Sequence, residues 1–210
     1  MSGRAVIQRQ RRVFDDFFKI DEFLTAHEKI DGGMSAVQRR LVFERGDSVA
    51  VLLLDVKRKS VVLVEQFKVP VLAARCRDDR TSVDGWIVET VAGMIEANET
   101  PEAAAIRETF EETGYRIGQP LLVGRFFCSP GGSSERVFLY YAEVGDADRC
   151  GRGGGTGDED IKVVQVKLDE LFERLGRGSI EDAKLVIGAY WLQSRLSAHG
   201  VIGAARPAIS

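Results

Sequence analysis

The chain has 210 residues, with 29 lysines and arginines against 32 aspartates and glutamates and a formal net charge of -3. This length suits one main domain with an added element, and the near balance of charge disfavours general nucleic-acid binding. Because no apolar run approaches the roughly 20 residues of a membrane span and residues 1–12 lack the apolar stretch of a signal peptide, we expect no membrane partner and a cytoplasmic location.

Cysteine and histidine usage excludes several classes of site. Cys76, Cys128 and Cys150 are widely spaced and form no CxxC pair, so they predict neither a disulfide framework nor a zinc site. His27 and His199 stand alone near the two ends of the chain, which argues against a histidine-based catalytic triad.

The first 44 residues differ in character from the rest of the chain. Between Val13 and Phe43 the pattern predicts strands with a turn at Asp31-Gly32-Gly33. The segment has more apolar surface than a short extension buries alone, so residues 1–44 are predicted to be an oligomerisation element. Two of its aromatic residues could instead stack on a nucleobase. The apolar residues are Phe14, Phe17, Phe18, Ile20, Phe23 and Leu24, and the two alternative stacking residues are Phe17 and Phe18.

A second region, residues 45–198, is predicted to form the main domain. The segments SVAVLLLD and SVVLVEQFK predict two strands of a β-hairpin that is buried on both faces. A polar loop from Ala73 to Gly85 and a strand WIVETVAG are expected next. Strands PLLVGRFFC, RVFLYYAEV and IKVVQVKL and helices LDELFERLG and DAKLVIGAYWLQSRL follow, and residues 199–210 are predicted to be a tail. Gly151–Gly157 is interpreted as a surface loop or, alternatively, a lid that closes on substrate.

One helix has the clearest boundaries. Thr100 suits the N-cap, Pro101 the first helical position and Gly114 the C-terminal cap, so the helix is predicted over residues 101–113. Helical spacing places three carboxylates on one side, opposite a predicted buried apolar stripe, and such a face suits Mg²⁺. The carboxylates are Glu108, Glu111 and Glu112, and the stripe consists of Ala103, Ile106 and Phe110.

The segment GMIEANETPEAAAIRETFEETGY resembles the Nudix signature GX5EX7REUXEEXGU, where U is a bulky aliphatic residue. The bulky positions are looser, with Thr109 and Tyr115, which concerns packing rather than chemistry. All seven fixed positions match, namely Gly93, Glu99, Arg107, Glu108, Glu111, Glu112 and Gly114.

The resemblance implies roles for these residues. Glu108, Glu112 and the backbone carbonyl of Ala92 are expected to bind Mg²⁺, with Mn²⁺ as an alternative. Glu111 is expected to orient water or to assist the metal. Glu99 and Arg107 are expected to form an ion pair that holds the loop onto the helix.

Further segments are similar to one branch of that superfamily, the ADP-ribose and GDP-mannose pyrophosphatases. These segments are VVLVEQFK, ETVAGMIE, SPGGSSE and GDEDIKV, in the same order. The resemblance implies an α/β/α sandwich with a mixed sheet and an N-terminal β-strand extension, a homodimer with exchanged N-terminal strands, and Mg²⁺-dependent hydrolysis of a nucleoside diphosphate sugar.

The same branch implies a second group of site residues. Glu135 is expected to line the cleft, although an exposed loop carboxylate remains the alternative. Glu159 is expected to reach the metals, but Gly157 stands where an additional acidic residue is common, so Asp158, Glu159 and Glu111 all remain candidates for the general base. Substrate contacts are expected from Arg39, Arg40, Lys68, Gly93, Met94 and Lys184, with solvated surface groups as the alternative for the basic residues.

Two other functions remain open. A hydrolase of nucleoside triphosphates would use the same metal site but is usually shorter and lacks the SPGGSSE segment. A noncatalytic nucleotide-sugar sensor commonly loses signature carboxylates, which this chain keeps. Similarity of GSIEDAKLVIGAYWLQ to the GDP-mannose-cleaving enzymes favours GDP-mannose over ADP-ribose.

Overall fold

The computed structural model describes residues 3–78 and 84–198. The predicted tail 199–210, with His199, and part of the predicted 73–85 loop lie outside the described residues. The chain divides into two compact units. Met1–Asp47 with Phe126–Val137 is called the N-terminal unit, and Ser48–Arg125 with Phe138–Ser210 is called the signature unit.

The N-terminal unit contains a three-stranded antiparallel sheet in the order β1-β2-β3. The strands predicted between Val13 and Phe43 are confirmed, but the first strand already begins at Ala5. Its second turn lies at the predicted position, where Gly32 and Gly33 have positive φ values of 87° and 72°. Aromatic side chains remain accessible on this unit, and Phe17 is 88% exposed. The strands are β1 Ala5–Asp15, β2 Lys19–His27 and β3 Gln38–Glu44.

The signature unit is built on a mixed sheet in the order β10-β5-β4-β9-β8, with β6 paired to β5 and β7 paired to β4. Its helices lie on both faces of this sheet, so the predicted α/β sandwich is confirmed. The elements are β4 Ser48–Asp55, β5 Ser60–Phe67, α1 Val69–Asp78, β6 Trp86–Glu89, β7 Val91–Met94, α2 Pro101–Thr113, β8 Leu121–Phe127, β9 Arg136–Val144, β10 Ile161–Lys167, α3 Leu168–Gly176 and α4 Ala183–Ala198.

Alternation along β4 produces the layers. Successive side chains of a strand point to opposite faces, and every residue of β4 is buried. Val51 belongs to the core that includes Ala104 of α2. Leu52 belongs to the core that includes Leu171 of α3 and Leu192 of α4. The continuous apolar run in the sequence therefore reflects a strand with helices on both faces, as expected.

Helix α2 has the predicted ends but a different buried face. Thr100 accepts a hydrogen bond from the Ala103 N–H at 3.2 Å, and Gly114 has a left-handed φ of 73°. The predicted buried stripe is wrong, because Ile106 and Phe110 are 37% and 36% exposed and Ala103 is also exposed. The buried face consists of Ala104, Ala105, Thr109, Glu112 and Thr113.

The small residues of this face explain the error. They allow the helix backbone to approach β7 and β4 more closely than Ile or Phe side chains would. Thr109 can be buried on this face because its hydroxyl donates to the Ala105 carbonyl at 2.7 Å, which satisfies the polar group.

Two other predictions are corrected. Residues 73–78 belong to helix α1 rather than to a loop, because Pro70 is tolerated in a first turn and Leu72, Ala73 and Ala74 favour helix. The single predicted strand WIVETVAG is two strands that break at Thr90, since β6 pairs with β5 and β7 with β4. Among the described residues, no helix has the length and apolar character needed to cross a membrane.

Candidate active site

Arg107 joins the strand, the loop and the helix of the signature segment. Its guanidinium donates to both carboxylate oxygens of Glu99 at 2.9 Å and to the Met94 carbonyl at 3.0 Å. The same group donates to Glu108 at 2.7 Å and to Glu111 at 3.0 Å. Bidentate pairing of this kind is strong and directional. Accordingly, the hydrogen bonds from Arg107 hold the pKa of Glu99 below its usual range.

Glu112 is the most buried carboxylate of the helix, with 3% of the residue exposed. One of its oxygens accepts a hydrogen bond from the Ala92 N–H at 3.2 Å. Burial raises the pKa of Glu112 to about 8 despite this hydrogen bond, and the charges of Glu108 and Glu89 add to the rise. The charged form of Glu112 therefore lacks sufficient compensation from the protein itself.

Glu108 lies directly against the backbone of Gly93. A Cβ at residue 93 would be 1.9 Å from the carboxylate carbon of Glu108, so a side chain there would displace the Glu108 carboxylate. Burial also raises the pKa of Glu108, which the hydrogen bond from Arg107 opposes and the charges of Glu111 and Glu159 reinforce. Two desolvated carboxylates thus converge on the Ala92–Gly93 segment of β7.

The chemistry of this donor set fits a hard divalent cation. Carboxylate oxygens and backbone carbonyls are the ligands that Mg²⁺ and Mn²⁺ prefer, and a cation would offset the desolvation of Glu108 and Glu112. Within residues 3–78 and 84–198, no group of three or more metal-ligating side chains is preassembled. The two helix carboxylates and the Ala92 carbonyl would hold the ion.

Glu89 was not identified from the sequence, yet it joins two of the predicted basic residues. Its carboxylate is paired with the Lys68 ammonium at 3.2 Å and with the Lys184 ammonium at 3.1 Å. Lys184 also contacts Asp182 at 2.6 Å. Burial alone would lower the pKa of Lys184, but the charges of Asp182 and Glu89 outweigh it and the pKa is raised.

The interpretation of Lys184 as a solvated lysine is therefore wrong, because its side chain is only 17% exposed. Asp182 caps α4, since it accepts a hydrogen bond from the Leu185 N–H at 3.1 Å. The same carboxylate also accepts one from the Thr90 N–H at 3.4 Å, at the break between β6 and β7. The signal for Glu89 was present in the sequence as a lone carboxylate in an otherwise apolar strand segment, IVETVAG. Burial of a carboxylate requires a partner, which identifies such a residue as paired.

Glu159 and Asp158 follow the glycine-rich segment. A carboxylate oxygen of Glu159 accepts a hydrogen bond from the Thr156 N–H at 2.9 Å. Asp158 is exposed. The charge of Glu159 contributes to the raised pKa of Glu108, so these two carboxylates interact electrostatically.

Three of the predicted site residues belong to the N-terminal unit. Arg39 donates to Glu22, and Arg40 donates to Gln38 at 2.6 Å. Glu135 lies 3.7 Å from the Arg45 guanidinium and is mostly buried, with 16% of its side chain exposed. The alternative of an exposed loop carboxylate for Glu135 is therefore wrong.

The chain is similar in sequence to known proteins. A family model described as NUDIX domain matches residues 44–186. A GDP-mannose pyrophosphatase of Cronobacter sakazakii is 39% identical over 157 residues, which covers 75% of this chain and 78% of the relative. A GDP-mannose pyrophosphatase of Escherichia coli is 31% identical over 193 residues and covers 92% of this chain and 97% of the relative.

A solved structure titled as an ADP compounds hydrolase has the same fold. It has a TM-score of 0.69 and 16% sequence identity and covers 95% of this chain and 97% of that chain. The family model matches more than half of the chain, and its span contains the loop, α2 and the two converging carboxylates. The protein is therefore a member of the Nudix family.

Proposed function

We propose that the protein hydrolyses the pyrophosphate bond of a nucleoside diphosphate sugar, with GDP-mannose preferred over ADP-ribose, in a reaction that requires Mg²⁺. Convergence of Glu108 and Glu112 on the Ala92–Gly93 backbone carries this proposal. The names of the two relatives support the substrate class, since both are GDP-mannose pyrophosphatases.

In the proposed reaction, the oxygen of water attacks one phosphorus and the bond from that phosphorus to the bridging oxygen breaks. The products are a nucleoside monophosphate and a sugar phosphate. Mg²⁺ supplies charge neutralisation of the diphosphate and a lowered pKa of the attacking water. Glu108, Glu112 and the Ala92 carbonyl hold the ion, and Arg107 fixes the helix to the loop.

A carboxylate must accept the proton of the attacking water. Glu111 accepts a hydrogen bond from the Arg107 guanidinium. Glu159 accepts one from the Thr156 N–H and lies in the exposed part of its loop. We therefore favour Glu159 over Glu111 and Asp158 as the general base. Lys68 and Lys184, with the backbone of Gly93 and Met94, supply substrate contacts in this proposal.

The test is a substrate screen with purified protein. Nucleoside diphosphate sugars are incubated with MgCl₂, and their products are measured as phosphate released by added phosphatase. Nucleoside triphosphates are incubated separately without phosphatase, and the pyrophosphate or phosphate released is measured directly. We expect GDP-mannose to give the highest kcat/KM. Turnover confined to triphosphates would reject the proposal, and an absence of turnover combined with tight binding of a nucleotide sugar would identify a sensor instead.

We also propose that the protein is a homodimer formed through the N-terminal unit. Phe14 and Phe17 are 51% and 88% exposed there, which is unfavourable for large apolar groups in water. Light scattering at micromolar concentration should give the mass of two chains, and Phe17→Ser should weaken the association. A stable, active monomer would contradict this proposal.

A further inference from the structure

The glycine-rich segment lies along the C-terminal end of α2. The N–H groups of Gly154 and Gly155 donate to the carbonyls of Glu112 and Glu111 at 2.9 and 3.0 Å. The N–H of Gly151 donates to the carbonyl of Gly114 at 3.0 Å. The last carbonyls of a helix have no partner within the helix, so the segment supplies the missing donors. The backbone of two metal-site residues is thereby attached to the loop.

Close approach requires glycine at particular positions of this segment. A Cβ at Gly153 would be 2.6 Å from the Glu112 carbonyl oxygen, and one at Gly155 would be 2.7 Å from the Cβ of Glu159. Both residues have positive φ, 69° and 83°. Gly157 also has positive φ, 61°, but a Cβ there would meet no atom within 4 Å.

Glu159 is connected to the attached segment within a single turn. Its N–H donates to the Thr156 carbonyl at 3.2 Å, and its carboxylate accepts from the Thr156 N–H at 2.9 Å. Thr156 directly follows Gly155, whose own N–H is bound to the Glu111 carbonyl. Hydrogen bonds at Gly155 and at Thr156 therefore connect the α2 backbone to the Glu159 carboxylate.

We infer that Gly151–Gly155 is a backbone clamp that fixes the Glu159 carboxylate relative to the signature helix, with Gly155 as a positioning residue. This inference rests on the proposed function, in which Glu159 acts in hydrolysis. Under this inference Gly151–Gly155 stays attached to α2, which differs from both interpretations drawn from the sequence for Gly151–Gly157, a surface loop and a closing lid. A change at Gly155 displaces Glu159, whereas a change at Gly157 does not.

The variants Gly155→Ala and Gly157→Ala test the clamp as a matched pair. Both place alanine at positive φ, 83° and 61°, so both carry backbone strain, but only the first forces a new contact with Glu159. Gly155→Ala should lower kcat for GDP-mannose by about tenfold with KM little changed, which is the pattern of a displaced reacting group. Gly157→Ala should remain within about twofold of the unmodified protein. Equal losses in the two variants would overturn the inference.

A double-mutant cycle identifies the path of the effect. In a Glu159→Gln background, Gly155→Ala should cause no further loss of kcat, because the carboxylate that it displaces is already absent. An equal loss in both backgrounds would show that Gly155 acts on the helix rather than through Glu159, and would also overturn the inference.

Amide hydrogen exchange tests the clamp without any catalytic measurement and in the unmodified protein. The Gly154 and Gly155 amides should exchange as slowly as the Gly114 amide, which donates to Phe110 at 2.8 Å. The Thr156 amide should lose protection in Gly155→Ala and keep it in Gly157→Ala. Unprotected Gly154 and Gly155 amides would reject the clamp even in an active enzyme. Protected amides in a protein that hydrolyses no nucleotide sugar would reject only the proposed function.

Discussion

Glu22 in the N-terminal unit and Glu112 in the signature unit are almost equally buried, at 1% and 3% exposed. Their pKa values are nevertheless shifted in opposite directions. Hydrogen bonds from Arg11 and Arg39 lower the pKa of Glu22 to about 2, whereas burial raises the pKa of Glu112 to about 8.

The difference lies in the partners and not in the burial. Glu22 is paired with Arg9 at 3.1 Å and Arg11 at 2.6 Å, and also with Arg39. Within residues 3–78 and 84–198, Glu112 accepts a hydrogen bond only from the Ala92 N–H. A buried carboxylate paired with several cations contributes to the structure of its unit, while one without an ion pair among the described residues favours the binding of a cation from solution. Four experiments test this comparison.

The largest effect is expected for activity. Glu112→Gln removes a proposed metal ligand and keeps the shape of the side chain, so kcat for the best substrate should fall by about 100-fold or more. The control is Glu173→Gln, which changes an exposed glutamate of α3 that pairs with Arg177 at 2.5 Å. Activity of Glu112→Gln within about tenfold of the unmodified enzyme would show that the metal site is wrongly assigned.

The next effect concerns stability against pH in protein freed of divalent ions with EDTA. Folded Glu112 keeps its proton up to a pKa of about 8, while the unfolded chain releases it near 4.5. The folded state binds more protons between these values, so the free energy of unfolding should decrease as pH rises from 4.5 to 8. Glu112→Gln lacks this titration and should be relatively more stable at pH 8, by about 2–4 kcal/mol.

Thermal melting at pH 5 and pH 8 checks this expectation. Addition of Mg²⁺ at pH 8 should stabilise the unmodified protein more than Glu112→Gln, because in the proposed site the ion binds the folded state through that carboxylate. A stability difference between the two proteins that does not vary with pH would indicate that Glu112 is already ionised and compensated.

A smaller effect of opposite sign is expected at Glu22. Its pKa of about 2 in the folded state lies below the ordinary 4.5, so its contribution to stability is complete above pH 4.5 and is lost as pH falls toward 2. Glu22→Gln should melt at a lower temperature than the unmodified protein at pH 7, and the two melting temperatures should converge near pH 2. The exposed Glu28 supplies the control variant, Glu28→Gln, whose melting temperature is measured over the same pH range. Parallel curves of melting temperature against pH for Glu22→Gln and the unmodified protein would contradict a stabilising role of the Glu22 ion pairs.

Local signals predicted much of the fold and part of the site. The ends of α2 follow from the N-cap Thr100, Pro101 and Gly114, and each of these signals depends only on neighbouring residues. The direction in which α2 faces was predicted wrongly, because apolar spacing favoured Ile106 and Phe110 while close packing on the sheet selects small side chains. Which face of a helix meets a sheet depends on contacts distant in sequence.

The same reason explains what was missed around the site. Glu89 and Lys184 are 95 positions apart in the chain, and their ion pair exists because α4 begins beside the end of β6. The spacing of the glycines predicts a loop, but it does not indicate that the loop donates hydrogen bonds to the α2 carbonyls. Motif positions are readable from one segment, whereas pairing between segments requires the fold.

The smallest effect is expected at Lys184, which pairs with Glu89. Glu89 is the intermediate case in this comparison, because it is buried like Glu112 but paired with cations like Glu22. An ammonium group has three N–H donors, and Glu89 and Asp182 account for two of them in the structure. We expect the third to contact a phosphate or the sugar of GDP-mannose. Lys184→Ala should then raise KM for GDP-mannose by about three- to tenfold and KM for ADP-ribose by less, because losing a contact specific to one ligand weakens only that ligand's binding.

The control is Lys162→Ala, which removes an exposed lysine that pairs with Glu65 at 2.8 Å and should change neither KM. Equal increases for the two substrates would mean that Lys184 acts only by holding Glu89, and ADP-ribose turnover at least about tenfold above GDP-mannose turnover in the unmodified enzyme would overturn the preference itself.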